Sequence, residues 1–272
     1  MVAGKGGDTS GSPGGHASGD GAPLAGEAAH PGDPAHPGEH AHMVEHVHVV
    51  EHHVLPAWLR RSEGEHRWQM SVAVLAAIGF QLAVPTRLAL QPTFLLPALE
   101  GALLVGLVAA NPGRINRLSN GARAATLALV AAISFANAWS LALLVHGLVT
   151  GKEGQQAGPL LLTGGAIWAT NVIVFSFWYW EFDRGGPGRR ALGHRPYPDL
   201  LFPQMANLEL TPPEWEPQFF DYLYTSFTNA AAFSPTDVMP LSRWAKMLFL
   251  VQSAISLMTA ALVVARAVNI LR

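Results

Sequence analysis

The chain has 272 residues, half of them hydrophobic and only 13% charged, where a soluble domain carries about 25% charged residues. A formal net charge of −2 offers no basic surface for nucleic acid, and the absence of Cys excludes disulfides, zinc–thiolate sites and thiol nucleophiles. Mean hydropathy is +0.23, yet ten of the 12 His and twelve of the 27 Gly fall within residues 1–66, so the remainder is far more apolar than the average.

That division implies two parts: a disordered His-rich N-terminal tail over 1–56 and a membrane bundle over 57–272. Residues 1–38 are mostly Gly, Ala, Pro, Ser, His and Asp, too poor in large apolar side chains to offset chain entropy. Residues 39–53 repeat with a period of six, placing His40, His42, His46, His48 and His52 on one face of a strand. As a helix, His42/His46 and His48/His52 pair at i,i+4. Neutral imidazoles with interleaved Glu could hold Zn²⁺ or Ni²⁺. Protonation near pH 6.5 could instead dock the tail on anionic lipid. The plain alternative is a low-complexity tail with weak metal affinity.

Gaps between charges then mark the spans. None occurs between Arg67 and Arg87, and 88–113 is interrupted only by Glu100. Arg123 to Lys152 brackets 28 uncharged residues, Glu153 to Glu181 brackets 27, and Lys246 to Arg266 brackets 19. Crossing a bilayer core takes roughly 20. The expected spans are 68–86, 90–110, 124–150, 158–180 and 244–266. Glu100, near the middle of the second, reads as a proton or cation site or as a group paired with polar neighbours. Asn137, Ser140, His146, Thr170 and Asn171 read as interhelical hydrogen-bonding groups. Glu181, Asp183 and Arg184 close the fourth span behind Phe177-Trp178-Tyr179-Trp180: an interfacial aromatic belt followed by a carboxylate–Arg cluster that reads as a structural anchor or as a cation site.

A polar connection, 183–217, precedes a shorter apolar segment. Thr211-Pro212-Pro213-Glu214 fits a capping box with Pro at the first helical position. Residues 218–232 then read as a helix of about 22 Å, too short to span. It ends at Phe233-Ser234-Pro235-Thr236, a breaker. A short apolar helix, a breaker and a full span together suggest a re-entrant segment.

Residues 222–247 resemble the pore helix, filter and inner-helix start of potassium-channel pore domains. Asp237, Pro240, Trp244 and Lys246 match that pattern without a gap, and Tyr224, Ser226 and Phe227 suit its pore helix. Both filter glycines are replaced, by Ser234 and Thr236, and the signature threonines by Ala231 and Ala232. Pro235 fixes φ near −65° where aligned filter carbonyls need glycine. The resemblance therefore implies a channel-like architecture, and a tetramer, without potassium selectivity. Polarity concentrates on Thr228, Asn229, Ser234, Pro235, Thr236 and Asp237, the candidates for lining or plugging a pathway.

With five spans, and leaving aside Lys5 in the tail, twelve Lys and Arg lie on the N-terminal side of the membrane and four on the other, which puts the N-terminus on the cytoplasmic side of a plasma or inner membrane. No phosphate loop, metalloprotease helix or nucleophile elbow is present, so no enzyme is expected. The sequence predicts an all-α polytopic bundle, associated with lipid and homo-oligomeric. Its expected role is a channel-like pathway or, alternatively, a non-conducting scaffold or accessory subunit. Divalent-metal handling through the tail is a third reading.

Overall fold

The computed structural model describes residues 55–110, 113–115, 120–153, 155–231 and 237–271. The chain divides into two units, Met1–Glu45 and His46–Arg272, and every described residue belongs to the second. The tail histidines His40, His42, His46, His48 and His52 lie outside the described residues, which begin at Leu55.

The described part is mostly helical. Its helices are α1 (Arg67–Ala83), α2 (Leu95–Ala110), α3 (Asn120–Val149), α4 (Ala157–Phe182), the short α5 (Pro187–Ala191) and α6 (Pro203–Ala206), α7 (Phe219–Ala231) and α8 (Arg243–Leu271). Two-residue strands β1 (Glu65–His66) and β2 (Arg114–Ile115) pair antiparallel, as do β3 (Leu200–Leu201) and β4 (Met239–Pro240). Among the described residues, three helices are long and apolar enough to cross a membrane: α3, α4 with its extension to Ala191, and α8.

The other two expected spans are shorter than the charge gaps suggested. Helix α1 has 17 residues and stops at Val84, whose ψ of 133° is extended, as Pro85 requires of the residue before it. Helix α2 begins at Leu95 rather than residue 90, because Pro92 has no N–H to enter a ladder. Pro97 is tolerated in its first turn, where an N–H has no intrahelical partner anyway.

Helix α4 is the centre of the bundle and packs against α1, α3, α7 and α8. In its most apolar window 72% of residues are buried, against 28% for α8. The core runs along it through Ile173, Phe177 and Trp180, meeting Val74 of α1, Ile133 of α3 and Phe219 of α7. Close approach of α4 to α8 depends on Gly164, where a Cβ would lie 2.7 Å from Val263.

Helix ends sort to two levels. At one, the β1–β2 pairing joins the starts of α1 and α3, Arg190 bonds to Glu65, and Trp244 at the start of α8 reaches Asp199 beyond α4. At the other, Arg87 in the α1–α2 turn bonds to Glu153 in the α3–α4 turn, at 2.6 and 2.9 Å. The helices thus alternate in direction from α1 to α4, and α8 runs antiparallel to α4.

Candidate functional site

Beyond α4 the backbone turns sharply. Arg184 takes φ 52° and the next two residues, Gly185 and Gly186, φ 83° and 97°, conformations that glycine adopts without penalty. This turn buries Asp183 completely. Its Oδ1 accepts the backbone N–H groups of Asp199 (3.0 Å) and Leu200 (3.2 Å), and its Oδ2 accepts the Tyr222 hydroxyl (2.7 Å). Asp199 in turn accepts the Arg184 N–H and the Trp244 indole N–H, both at 2.9 Å. Arg190 donates to Glu65 Oε1 (2.6 Å) and to the carbonyls of Trp180 (2.6 Å) and Asp183 (3.0 Å). Its guanidinium also stacks 5.0 Å from the Tyr222 ring. Trp180 Nε1 donates to Glu65 Oε2 at 2.7 Å. The carboxylates of Glu65, Asp183 and Asp199 each accept at both oxygens, so this cluster is an anchor. It fixes the starts of α7 and α8 to the end of α4.

Helix α7 enters beside that anchor. Phe219 packs on Phe177 and Trp180 at 4.8 and 5.8 Å between ring centroids. The expected capping box is not formed. Thr211 Oγ1 donates back to the carbonyls of Gln204 and Asn207, Trp215 N–H closes a turn on Pro212, and α7 begins only at Phe219. Asp221 accepts the Gln218 N–H at 2.8 Å instead. Pro213 after Pro212 leaves no donor with which to begin a ladder.

The inward face of α7 is fully engaged. Ser226 Oγ donates to the Val172 carbonyl (2.6 Å), midway along α4. Gln252 of α8, with no exposed surface, donates to the carbonyl and hydroxyl oxygens of Ser226 (3.0 and 2.7 Å). Its Oε1 accepts Tyr179 OH (2.6 Å) and Asn229 Nδ2 (2.8 Å). Ser253 Oγ donates to Asn229 Oδ1 at 3.0 Å. The outward face differs. Phe220, Tyr224 and Phe227 are about half exposed, Thr228 bonds to its own helix's Tyr224 and Thr225 carbonyls, and Tyr224 OH donates to exposed Asp237 at 3.2 Å. The chain then pairs β4 with β3, and Leu241 N–H donates to the Asp199 carbonyl at 2.8 Å. The segment 219–240 therefore begins and ends beside the same end of α4.

Of the six pore-loop candidates, Asn229 is drawn into the bundle while Thr228 and Asp237 sit on the outer face. Ser234, Pro235 and Thr236 lie outside the described residues. Sequence reasoning missed Gln252 and Ser253, and read Tyr179 only as one of an interfacial aromatic belt, whereas its hydroxyl bonds to Gln252. A lone amide in an otherwise apolar span was the available signal, since such groups in lipid seek partners. Glu100 is fully buried, and both its oxygens accept Gln81 Nε2 across the α1–α2 hairpin, at 3.2 and 3.0 Å. It is thus paired with a polar neighbour. Thr170 bonds to the Ala166 carbonyl of its own helix (2.9 Å). Asn137, His146 and Asn171 line an apolar groove of about 700 Å³ along α3 and α4. Among the described residues no group of three or more His, Asp or Glu is placed to hold a metal ion. At the opposite end, the Glu153 carboxylate bonded to Arg87 raises that guanidinium's pKa further above its ordinary value.

No family model, curated protein or solved structure matches the chain.

Proposed function

We propose that the protein is an oligomeric, channel-like membrane protein in which α4, α7 and α8 form a pore-loop module. In this reading α1, α2, α3, α4 and α8 cross the bilayer and α7 is re-entrant. The observation that carries it is the path of 219–240. It leaves the end of α4, reaches the middle of α4 at Ser226, and comes back to Asp199 and Leu200. Thirteen residues rise only about 20 Å, short of a roughly 30 Å core. Outer helix, short helix, return and inner helix follow in the order that the potassium-channel resemblance implies.

Among the described residues, Ser226 and Asn229 on the inner face of α7 are taken up by bonds to α4 and α8. The pathway in this proposal lies outside the single chain, between copies, and is faced by Thr228 and by Asp237 with its Tyr224 partner. Four-fold assembly comes from the resemblance. The Lys and Arg distribution puts the basic end of the bundle, and with it the mouth of the loop, in the cytoplasm. Protein reconstituted in liposomes is expected to pass cations or protons, with Asp237→Ala lowering the flux roughly threefold or more, since a carboxylate at a pore mouth concentrates cations. Flux no greater than from empty liposomes, across potassium, sodium and proton gradients, would overturn the proposal.

One observation favours a second reading. The satisfied network of Ser226, Asn229, Gln252 and Tyr179 is also what a sealed module needs, in a non-conducting accessory subunit. Silent liposomes together with a stoichiometric co-purifying membrane partner would select it.

A further inference from the structure

Beside the anchor lies a cleft that the anchor does not use. It is lined by Arg67 at the start of α1, Arg123 in the first turn of α3, Glu181 and Trp180 near the end of α4, and the turn from Gly185 to Arg189, with a volume of about 70 Å³. A single water needs about 10–15 Å³ of such space, so the cleft has room for a group of several heavy atoms.

Among the described residues, several polar atoms on its walls have no hydrogen-bond partner. Arg67 is 4% exposed, and its Nε and Nη1 have no hydrogen-bond partner among the described residues. Arg123 Nε is 3.6 Å from Glu181 Oε2, beyond hydrogen-bond reach, and both atoms are unpartnered among the described residues. A buried guanidinium without an acceptor is costly. The backbone keeps the space open: a Cβ on Gly186 would stand 3.2 Å from Glu181 Oε2 and 3.8 Å from Arg123 Nε. Two guanidinium groups, Arg67 and Arg123, stand beside the one carboxylate of Glu181, and Arg189 lines the same cleft, so positive charge is in excess and favours an anion. Planar N–H forks match the oxygens of phosphate.

We propose that this cleft binds a phosphate group, carried by an anionic phospholipid headgroup or supplied as free phosphate. Its position at the basic end of the helices places it at headgroup level if the bundle is membrane-embedded, and the site does not depend on ion conduction. Arg123 is held at the cleft by its ion pair with the Glu181 carboxylate (3.6 Å) and by Nη2 donating to the Glu181 carbonyl (3.5 Å), while Arg67 supplies the buried donors.

The test uses the purified full chain in neutral detergent, read by native mass spectrometry and by thermal shift. The probes are phosphatidylglycerol, phosphatidylcholine and inorganic phosphate. Expected is saturable binding of phosphatidylglycerol over phosphatidylcholine, or of inorganic phosphate, weakened about tenfold by Arg123→Gln. Arg67→Gln is expected to act likewise. Should it fail to fold, the partly exposed Arg123 decides alone. Arg243→Gln, an exposed arginine at the same end of the bundle, is expected to change affinity little. A response to the lipid alone assigns the headgroup as source, and a response to inorganic phosphate assigns the free ion. Absence of any saturable binding would overturn the proposal. So would an Arg243→Gln loss equal to that of Arg123→Gln, because the attraction would then be general surface charge.

Discussion

Gln252 joins three elements through one amide: its nitrogen serves Ser226 on α7, and its oxygen serves Tyr179 on α4 and Asn229 on α7. Replacing it by Leu leaves the buried Tyr179 hydroxyl without its acceptor, at about 1–3 kcal/mol, while Asn229 Nδ2 keeps the Phe249 carbonyl at 3.1 Å. Gln252→Leu is therefore expected to lower the unfolding temperature in detergent clearly. Thr228→Val, which loses only bonds to its own helix's carbonyls, is expected to move it little. Equal shifts would mean that the network does not hold α7. Arg190 supplies a second contrast. It and Glu65 are both buried and 2.6 Å apart, and removing one partner of such a pair costs about 3–5 kcal/mol. Arg87 and Glu153 are as close, but the arginine side chain is 64% exposed, and exposed pairs contribute about 0–1 kcal/mol. Chemical denaturation of Arg190→Met and Arg87→Ala is expected to separate widely, and similar losses would contradict the burial. Neither pairing was legible in the sequence. Glu65 and Arg190 are 125 residues apart, and no local pattern encodes a contact at that distance. The presence of an ionic anchor behind the aromatic run was legible, because charge that closely follows an interfacial belt must be paired or solvated.

At the scale of elements, the long helices were the most readable feature. Desolvating a span is a matter of composition over about 20 residues, and α3, α4 and α8 lie within a few residues of the gaps between charges. Boundaries set by proline were less readable. Pro85 and Pro92 shorten α1 and α2, and the Thr211–Glu214 motif, which looks like a helix start, forms a turn because the helix that follows begins at Phe219. The packing of α4 on α8 was hidden as well, since Gly164-Gly165 looks symmetrical in sequence. In the fold, a Cβ at Gly164 meets Val263 while one at Gly165 meets nothing within 4 Å. Gly164→Ile is expected to destabilise by about 1–3 kcal/mol through overpacking, and Gly165→Ala to be neutral or slightly stabilising through helix propensity. Thermal melts of the two variants check this, and a tolerated Gly164→Ile would mean the helices are not in close contact.

For the whole molecule, the alternation of helix direction and the gathering of Arg67, Arg123, Arg184 and Arg190 at one end agree with one charge-biased orientation in a bilayer. The idea that α7 dips in and returns to the same face, on which a pathway between copies depends, was reached from its length and the breaker at Pro235. In the structure Ser226 donates to the Val172 carbonyl of α4 and Leu241 N–H to the Asp199 carbonyl, and whether this segment is re-entrant is decided by its sidedness. The chain has no Cys, so single cysteines can report sidedness without a background. The most direct measurement introduces Lys152→Cys, Tyr197→Cys and Arg243→Cys singly, at exposed positions, and labels each with an impermeant maleimide in right-side-out and inverted vesicles. With α7 re-entrant, positions 197 and 243 label from one face and position 152 from the other. Labelling of 197 and 243 from opposite faces would mean that the segment between them crosses the membrane, and would contradict the pore-loop module.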